Sequence, residues 1–248
     1  MTMQDKVCLI TGGAAGIGRA TAEKFIAEGA TVAFCDLNEA AGSETAAALG
    51  ERAFFACVDV TDRAAVQAWV DAVVAKHGRI DVLVNNAAVD FPAPVVELPA
   101  KRWEVIFRVN VTGPFLCSTA VIPSMAAGGA GSIINISSQA ATERGKGTVG
   151  YSAAYAASKA ALDRLTWSLA AEVGKHNIAV NALKPSRVVD TEGMRLWAPE
   201  EERRDWVSPG SVVTCAVFLA NQDASGVSGM VATDEEYISW HGLKVAGS

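Results

Sequence analysis

The sequence predicts an α/β protein, a doubly wound parallel sheet of about seven strands with helices on both faces. Three observations lead there. Short β-branched or apolar runs alternate with longer stretches of helical periodicity, and strands connected through helices lie parallel, joined by right-handed crossovers. A glycine-rich segment follows the first apolar run and opens straight into a helical pattern. Half of the residues are hydrophobic and only 19% are charged, which excludes a disordered chain and supplies a large core.

KVCLI (6–10) reads as the first strand and GGAAGIG as the turn, after which a helical pattern runs to about Glu28. TVAFC (31–35) is the second strand and precedes a polar, alanine-rich helix ending at Gly50. AFFACV (53–58) leads into residues 62–77, where Val66, Trp69, Val70, Val73, Val74 and His77 recur at the spacing of one buried helical stripe. DVLVNN (81–86), SIINIS (132–137) and IAVNAL (178–183) are further strands, with helices over about 100–126 and 151–174 between them. A helix from about Pro209 to Ala220 and the run MVA (230–232) complete the pattern. No Pro/Ser/Gly-rich linker, composition shift or internal repeat divides the chain, so residues 1–248 read as one domain.

A net charge of −6 with no block of like charges argues against nucleic acid or an anionic membrane as partner. Five cysteines, an odd number without any CxxC pair, read as small core residues of a reduced compartment. Three histidines share no ligand spacing, so no metal site is expected. No apolar run reaches the roughly 18 residues of a membrane span. The start, MTMQDKVCLITGG, is too short in its apolar part for a signal peptide, which points to a cytoplasmic protein.

The turn after the first strand reads Thr11-Gly12-Gly13-Ala14-Ala15-Gly16-Ile17-Gly18. Glycines there permit a tight turn and let backbone approach a pyrophosphate, which then sits on the helix N-terminal amides. An ordinary glycine-rich turn would look similar, because GxxxGxG differs from the better-known GxGxxG. Asp36 tips the balance. It ends the second strand, where a carboxylate accepts hydrogen bonds from an adenosine ribose, although a helix N-cap is the competing role. That carboxylate repels the 2′-phosphate of NADP, and nothing basic lies at Ala14, Ala15 or Leu37 to receive one. Arg19 begins the helix and reads as a surface residue. The expected cofactor is NAD, in a Rossmann-type fold.

Six motifs in order resemble those of the short-chain dehydrogenases/reductases, over about residues 5–232. They are the TGxxxGxG turn, Asp59-Val60 after the third strand, Asn85-Asn86-Ala87-Ala88 closing the fourth, Asn110 in RVNVTG, Ser138 in NISS, and Tyr155 with Lys159 in YAASK. The resemblance implies hydride transfer between NAD and a secondary alcohol or ketone. It makes Ser138, Tyr155, Lys159 and Asn110 catalytic, with Asn110 in a proton relay. It assigns cofactor contacts to Gly12, Gly16, Ile17, Gly18, Asp36, Leu37, Asp59, Val60, Asn86, Ala87, Tyr155, Lys159, Pro185, Val188 or Val189, and Thr191.

The chemistry stands beside the resemblance. Tyr155 and Lys159 are four apart in a helical stretch and share one face. A free tyrosine titrates near pH ~10, and an adjacent ammonium, joined by the positive charge of oxidised nicotinamide, favours the tyrosinate. Tyr155 then takes the hydroxyl proton as hydride leaves, and Ser138 steadies the developing charge on oxygen. Alone, a Tyr–Lys pair at this spacing is common on surface helices. Tyr151 precedes a helical turn too, but its i+4 residue is Tyr155, so it reads as packing or pocket lining. Ser137 and Ser138 point to opposite faces by strand alternation, and the family pattern favours Ser138.

Some positions depart from the family pattern. Ala88 and Ser186 stand where glycine is usual, Thr191 comes one residue late, and the span from Ser138 to Tyr155 is longer, with a polar stretch Thr142–Thr148 expected to cover the substrate. ATDEEYISWHGL replaces the usual Asp-Gly-Gly after the last strand. Substrate determinants are expected in Val89-Asp90-Phe91, Gln139 to Tyr151, and Thr191 to Trp206. Met194, Leu196, Trp197 and Trp206 suggest a small, partly apolar alcohol or ketone, or alternatively packing against another subunit. The apolar helices near 100–126 and 151–174 predict a homo-oligomer, a dimer or tetramer. The competing function is a non-catalytic NAD-binding regulator of the same fold, which would not need Asn110, Ser138, Tyr155 and Lys159 together. Dehalogenase-like relatives, which lose the glycine turn and carry arginine for the lysine, are opposed by Gly12, Gly16, Gly18 and Lys159.

Overall fold

The computed structural model describes residues 2–143, 152–195 and 200–245. Among them seven strands form one parallel sheet: β1 (Val7–Thr11), β2 (Thr31–Asp36), β3 (Ala53–Cys57), β4 (Val82–Asn85), β5 (Gly131–Ile136), β6 (Ile178–Lys184) and β7 (Val231–Thr233). Their spatial order is β3-β2-β1-β4-β5-β6-β7. The order reverses between β1 and β4, and the crevice for a ligand in such sheets opens at the carboxyl ends of those two strands. The Rossmann-type architecture is the one expected from the sequence.

Alternation along the central strands feeds two cores. Cys8, Ile10, Phe34, Val82, Val84 and Ile134 pack on one face with α1 (Gly16–Ala27) and α8 (Gly210–Ala220). Leu9, Cys35, Leu83, Ile133 and Val180 face the other side, toward α3 (Arg63–His77) and α5 (Gly113–Gly128). Strands buried on both faces read as near-continuous apolar runs, which is why KVCLI and IAVNAL were legible. The stripe on α3 buries Val66, Trp69, Val70 and Val73, and the Asp62 carboxylate caps its start by accepting from the amides of Ala64 and Ala65.

The helix expected near 100–126 is three pieces. α4 (Ala100–Phe107) gives way to a π turn over Arg108–Thr112 before α5, with Asn110 fully buried in the π turn. Pro114 is the cause visible in the sequence: it has no N–H for the Asn110 carbonyl four residues back, so the regular ladder breaks there. The joined stretch Ala100–Gly128 is long and apolar enough, by length and composition, to cross a membrane, although no uninterrupted apolar run in the sequence is. Its Ile106, Leu116, Cys117, Val121 and Met125 are buried within the protein, as in a core helix.

The tail forms α9 (Asp234–His241), an element the sequence pattern left unread. Its signal is a capping box: the Thr233 hydroxyl accepts from the Glu236 amide while the Glu236 carboxylate accepts from the Thr233 amide. Tyr237 is fully buried and its hydroxyl donates to the carbonyl of Ala182 on β6, 3.1 Å away.

α6 (Ala153–Val173) lies over β6 and is tied to it by charge. Asp163 pairs with Lys184 at 2.7 Å, both almost fully buried, and accepts a 2.6 Å hydrogen bond from Ser137 at the end of β5. Breaking a buried pair by deleting one partner is far worse than replacing both. Asp163→Asn is therefore expected to lower unfolding free energy by about 3–5 kcal/mol, while Asp163→Leu with Lys184→Met recovers most of the loss. Urea denaturation checks this, and equal stability of the single and double variants would contradict it.

Candidate active site

Four hydrogen bonds fasten the strand ends at the switch point. The Thr11 hydroxyl accepts from the amides of Asn86 and Ala87, both at 3.0 Å. In return the Asn86 side-chain amide donates to the carbonyls of Thr11 and Gly12, at 3.0 and 2.9 Å. Gly12, with φ +65°, and Gly18 are required by this closeness: a Cβ on Gly18 would stand 2.2 Å from the Gly12 carbonyl oxygen. The glycine turn thus brings bare backbone and the first amides of α1 to the crevice, a cradle suited to a dinucleotide pyrophosphate.

Asp36 ends β2 with its carboxylate accepting from the amides of Ala14 and Asn38, at 3.2 and 3.1 Å. It is therefore held beside the glycine turn, and the N-cap of α2 (Glu39–Leu49) is Asn38 instead. Leu37 is exposed next to it. Arg19 forms an ion pair with Glu23 at 3.0 Å along α1. Asp59 and the buried Val60 follow β3, with the Asp59 carboxylate accepting from the Thr61 amide.

A cleft of about 920 Å³ extends from this end of the sheet. Ile17, Asn86, Ser138, Tyr155, Lys159, Pro185, Val188 and Thr191 all line it. Lys159 is buried, its ammonium donates to the Ile136 carbonyl at 2.7 Å, and it sits 5.5 Å from the centre of the Tyr155 ring. Burial pushes the Lys159 ammonium down to about 8, opposed by the Asp163 carboxylate one turn along α6. Burial pushes the partly buried Tyr155 phenol up to about 12, opposed by a hydrogen bond with Ser138 and reinforced by the charge of Asp90. Burial is thus the largest influence on the phenol, and the Ser138 hydrogen bond is the one that lowers it. The Ser138–Tyr155–Lys159 group is assembled nonetheless.

The Asn110 side chain is engaged on all sides. Its side-chain carbonyl accepts from the Val89 amide at 2.8 Å, and its amide donates to the Val89 carbonyl and the Ser158 hydroxyl at 2.9 and 3.0 Å. The side chain therefore binds the loop after β4 to α6. Val189 is buried in the core and bridges to Val207, which leaves Val188 as the less buried of the two candidates.

Several contributors had no clear sequence signal. Glu192, in the short helix α7 (Glu192–Arg195), accepts from the Gly16 amide at 3.0 Å, and Thr191 lies over Gly16. Asp234 accepts from the Ser186 amide at 2.7 Å and from the Ser211 hydroxyl, fixing the loop after β6. Gln139 donates to the Ser186 carbonyl across the cleft floor. Of the expected substrate determinants, Asp90, Phe91, Met194 and Trp206 line the cleft. Tyr151, Leu196, Trp197 and most of the stretch Thr142–Thr148 lie outside the described residues.

The fold and cleft define a doubly wound α/β protein with a ligand-sized crevice at the carboxyl ends of its strands. The chain belongs to the short-chain dehydrogenase family, whose model, "short chain dehydrogenase", matches residues 6–202. It is 44% identical over 193 residues to a sorbitol dehydrogenase of Cereibacter sphaeroides, covering 77% of this chain and 73% of that protein. It is 38% identical over 241 residues to a D-threitol dehydrogenase of Mycolicibacterium smegmatis, covering 92% and 90%. Among solved structures, a 3-ketoacyl-(acyl-carrier-protein) reductase from Brucella melitensis complexed with NADH superposes with a TM-score of 0.86 at 28% identity, over 94% of this chain and 97% of that one.

The Glu192 carboxylate holds the Gly16 amide, which a dinucleotide phosphate seated on the turn would have to take from it. Glu192→Ala is expected to tighten NADH binding by about 2–10-fold, the worth of one net hydrogen bond. Fluorescence titration of NADH checks it, and an unchanged or weaker affinity would count against the contact.

Proposed function

We propose that the chain is an NAD-dependent oxidoreductase that moves a hydride between nicotinamide and a secondary alcohol or its ketone. The observation that carries the reading is the meeting of Ser138, Tyr155 and Lys159 on one cleft that reaches Ile17 at the glycine turn. When bound, the nicotinamide exchanges hydride with the carbinol carbon and, in its oxidised form, brings positive charge beside the phenol. Gly12, Gly16, Ile17 and Gly18 would hold the pyrophosphate, Asp36 and Leu37 the ribose, and Asp59 and Val60 the adenine. Asn86, Ala87, Pro185, Val188, Thr191 and Lys159 would hold the nicotinamide end.

The protein's own residues handle the proton. Tyr155 takes it from the alcohol oxygen, or returns it to the ketone, through its phenol oxygen. Ser138 donates to the same substrate oxygen and limits charge build-up there. Lys159 uses one of its three N–H donors on Ile136, keeping two for a ribose and for a water beyond it. Because the Asn110 side chain is engaged by Val89 and Ser158, its part in that relay falls to its backbone carbonyl.

NAD is preferred over NADP because Asp36 keeps its carboxylate at the ribose end and Arg19 is turned toward Glu23. A small polyhydroxy substrate is supported by the names of the two relatives and by a cleft that mixes Phe91, Pro92, Val188 and Met194 with Asp90, Gln139 and Ser152. We further propose a cytoplasmic homo-oligomer, a dimer or tetramer, because exposed Phe115 and the groove between α5 and α6, lined by Ile122, Leu165 and Leu169, present apolar surface.

Tyr155→Phe is expected to lower kcat for polyol oxidation by roughly 10²–10⁴-fold. NADH binding by the same variant should stay within about threefold, and NADPH should bind at least ~10-fold more weakly than NADH to the unmodified protein, a difference of over ~1.4 kcal/mol. Retained turnover in the variant, or equal affinity for the two cofactors, would refute the respective assignment. Sedimentation equilibrium should give a mass of two or four chains, reduced in Phe115→Glu; a one-chain mass for the unmodified protein would remove the interface.

A further inference from the structure

We propose that Asp90 selects the substrate, accepting a hydrogen bond from a hydroxyl next to the reacting carbinol, so that neutral vicinal diols and polyols are favoured over simple alcohols and hydroxy acids. The inference rests on the oxidoreductase reading above and deepens it.

Asp90 follows β4 and lines the same cleft as Tyr155, near enough for its charge to bear on the phenol. Its position is built. Asn110 grips both backbone atoms of the preceding residue, Val89, at 2.8 and 2.9 Å. One carboxylate oxygen accepts from the Phe91 amide at 2.8 Å and the other from the Ser152 hydroxyl at 2.6 Å. Ser152 is the N-cap of α6, where a serine ordinarily accepts from the helix amides, yet it makes no such cap and donates to Asp90 instead. A capping bond is given up to hold a carboxylate in the wall of a substrate cleft.

A carboxylate has about four acceptor positions and no donor, so two remain after Phe91 and Ser152 are served. The Ser152 hydroxyl, with its proton committed, also offers only acceptance toward the cleft. This corner is matched by a substrate hydroxyl and mismatched by an anionic group, which it repels. An alcohol with only hydrocarbon there would leave the carboxylate partly desolvated and underserved. The charge also opposes ionisation of Tyr155, and a diol that donates to Asp90 weakens that opposition. Among the described residues, the other charged groups lining the cleft are Lys159, Glu143, Arg187 and Asp205, with Arg187 directed toward Glu235 at 4.0 Å.

Steady-state oxidation of 2,3-butanediol, 2-butanol, 1-amino-2-propanol and 3-hydroxybutyrate with NAD, by the unmodified protein and Asp90→Asn, tests the proposal. The unmodified protein should favour the diol over 2-butanol in kcat/KM by roughly 10–100-fold, the factor for a charge-assisted hydrogen bond. Asp90→Asn should erase most of that preference, raise kcat/KM for 2-butanol and 3-hydroxybutyrate, and move the rising limb of the 2-butanol pH profile to lower pH. Asp90→Glu, which keeps the charge, should keep a preference for the diol and serves if the asparagine variant does not fold. Equal losses on diol and 2-butanol with an unmoved pH profile would overturn the proposal, as would a preference for the amino alcohol. If the unmodified protein binds NADH yet oxidises none of the four, the oxidoreductase reading fails and Asp90's role fails with it.

Discussion

The structure depends on holding the ends of β1 and β4 together where the order of strands reverses. Thr11 and Asn86 do this with four hydrogen bonds between side chain and backbone. The closeness they impose is what excludes side chains from Gly12 and Gly18, since a Cβ on either would lie within 3 Å of atoms across the turn. A crevice lined by bare backbone amides follows from that exclusion, and with it the capacity to take a phosphate without a cation.

Against this rigid floor, the reactive group is assembled from buried polar atoms that pull in opposite directions. Desolvation drives Lys159 toward its neutral form and Tyr155 toward its protonated one, the reverse of what proton abstraction requires. Ser138 and Asp163 partly restore the balance, and Asp163 is itself held by Lys184 and Ser137. The proposed acid/base chemistry would thus lean on a charge network one helical turn behind the cleft. Asn110 has a parallel supporting place, fixing the loop that carries Asp90 to the helix that carries Tyr155.

Carboxylates hold two further positions in the crevice. Glu192 reaches the Gly16 amide from the segment after β6, and Asp90 meets Ser152 across the substrate side. In the proposed function the first would compete with a ligand phosphate for a donor, while the second would offer acceptors to a ligand hydroxyl. Both come from loops at the carboxyl ends of strands, where side chains are free to vary without disturbing the sheet.

The sequence by itself determined the architecture: alternating apolar runs, helical stripes and the glycine turn announced a doubly wound parallel sheet, because periodicity and glycine requirements are local. It also placed Ser138, Tyr155 and Lys159 in order. The π turn and α9 went unread, although their signals, Pro114 for the one and Thr233 with Glu236 for the other, each lie within one turn of helix. Only the tertiary structure decided that Asp163 meets Lys184, that Asp234 holds Ser186, that Glu192 faces Gly16 and that Asp90 faces Ser152. Each of those pairs joins residues from separate elements, and no periodicity relates such residues. Their meeting depends on how strands and helices are stacked, and the direction of the Tyr155 and Lys159 shifts depends on burial, which exists only once the chain is packed.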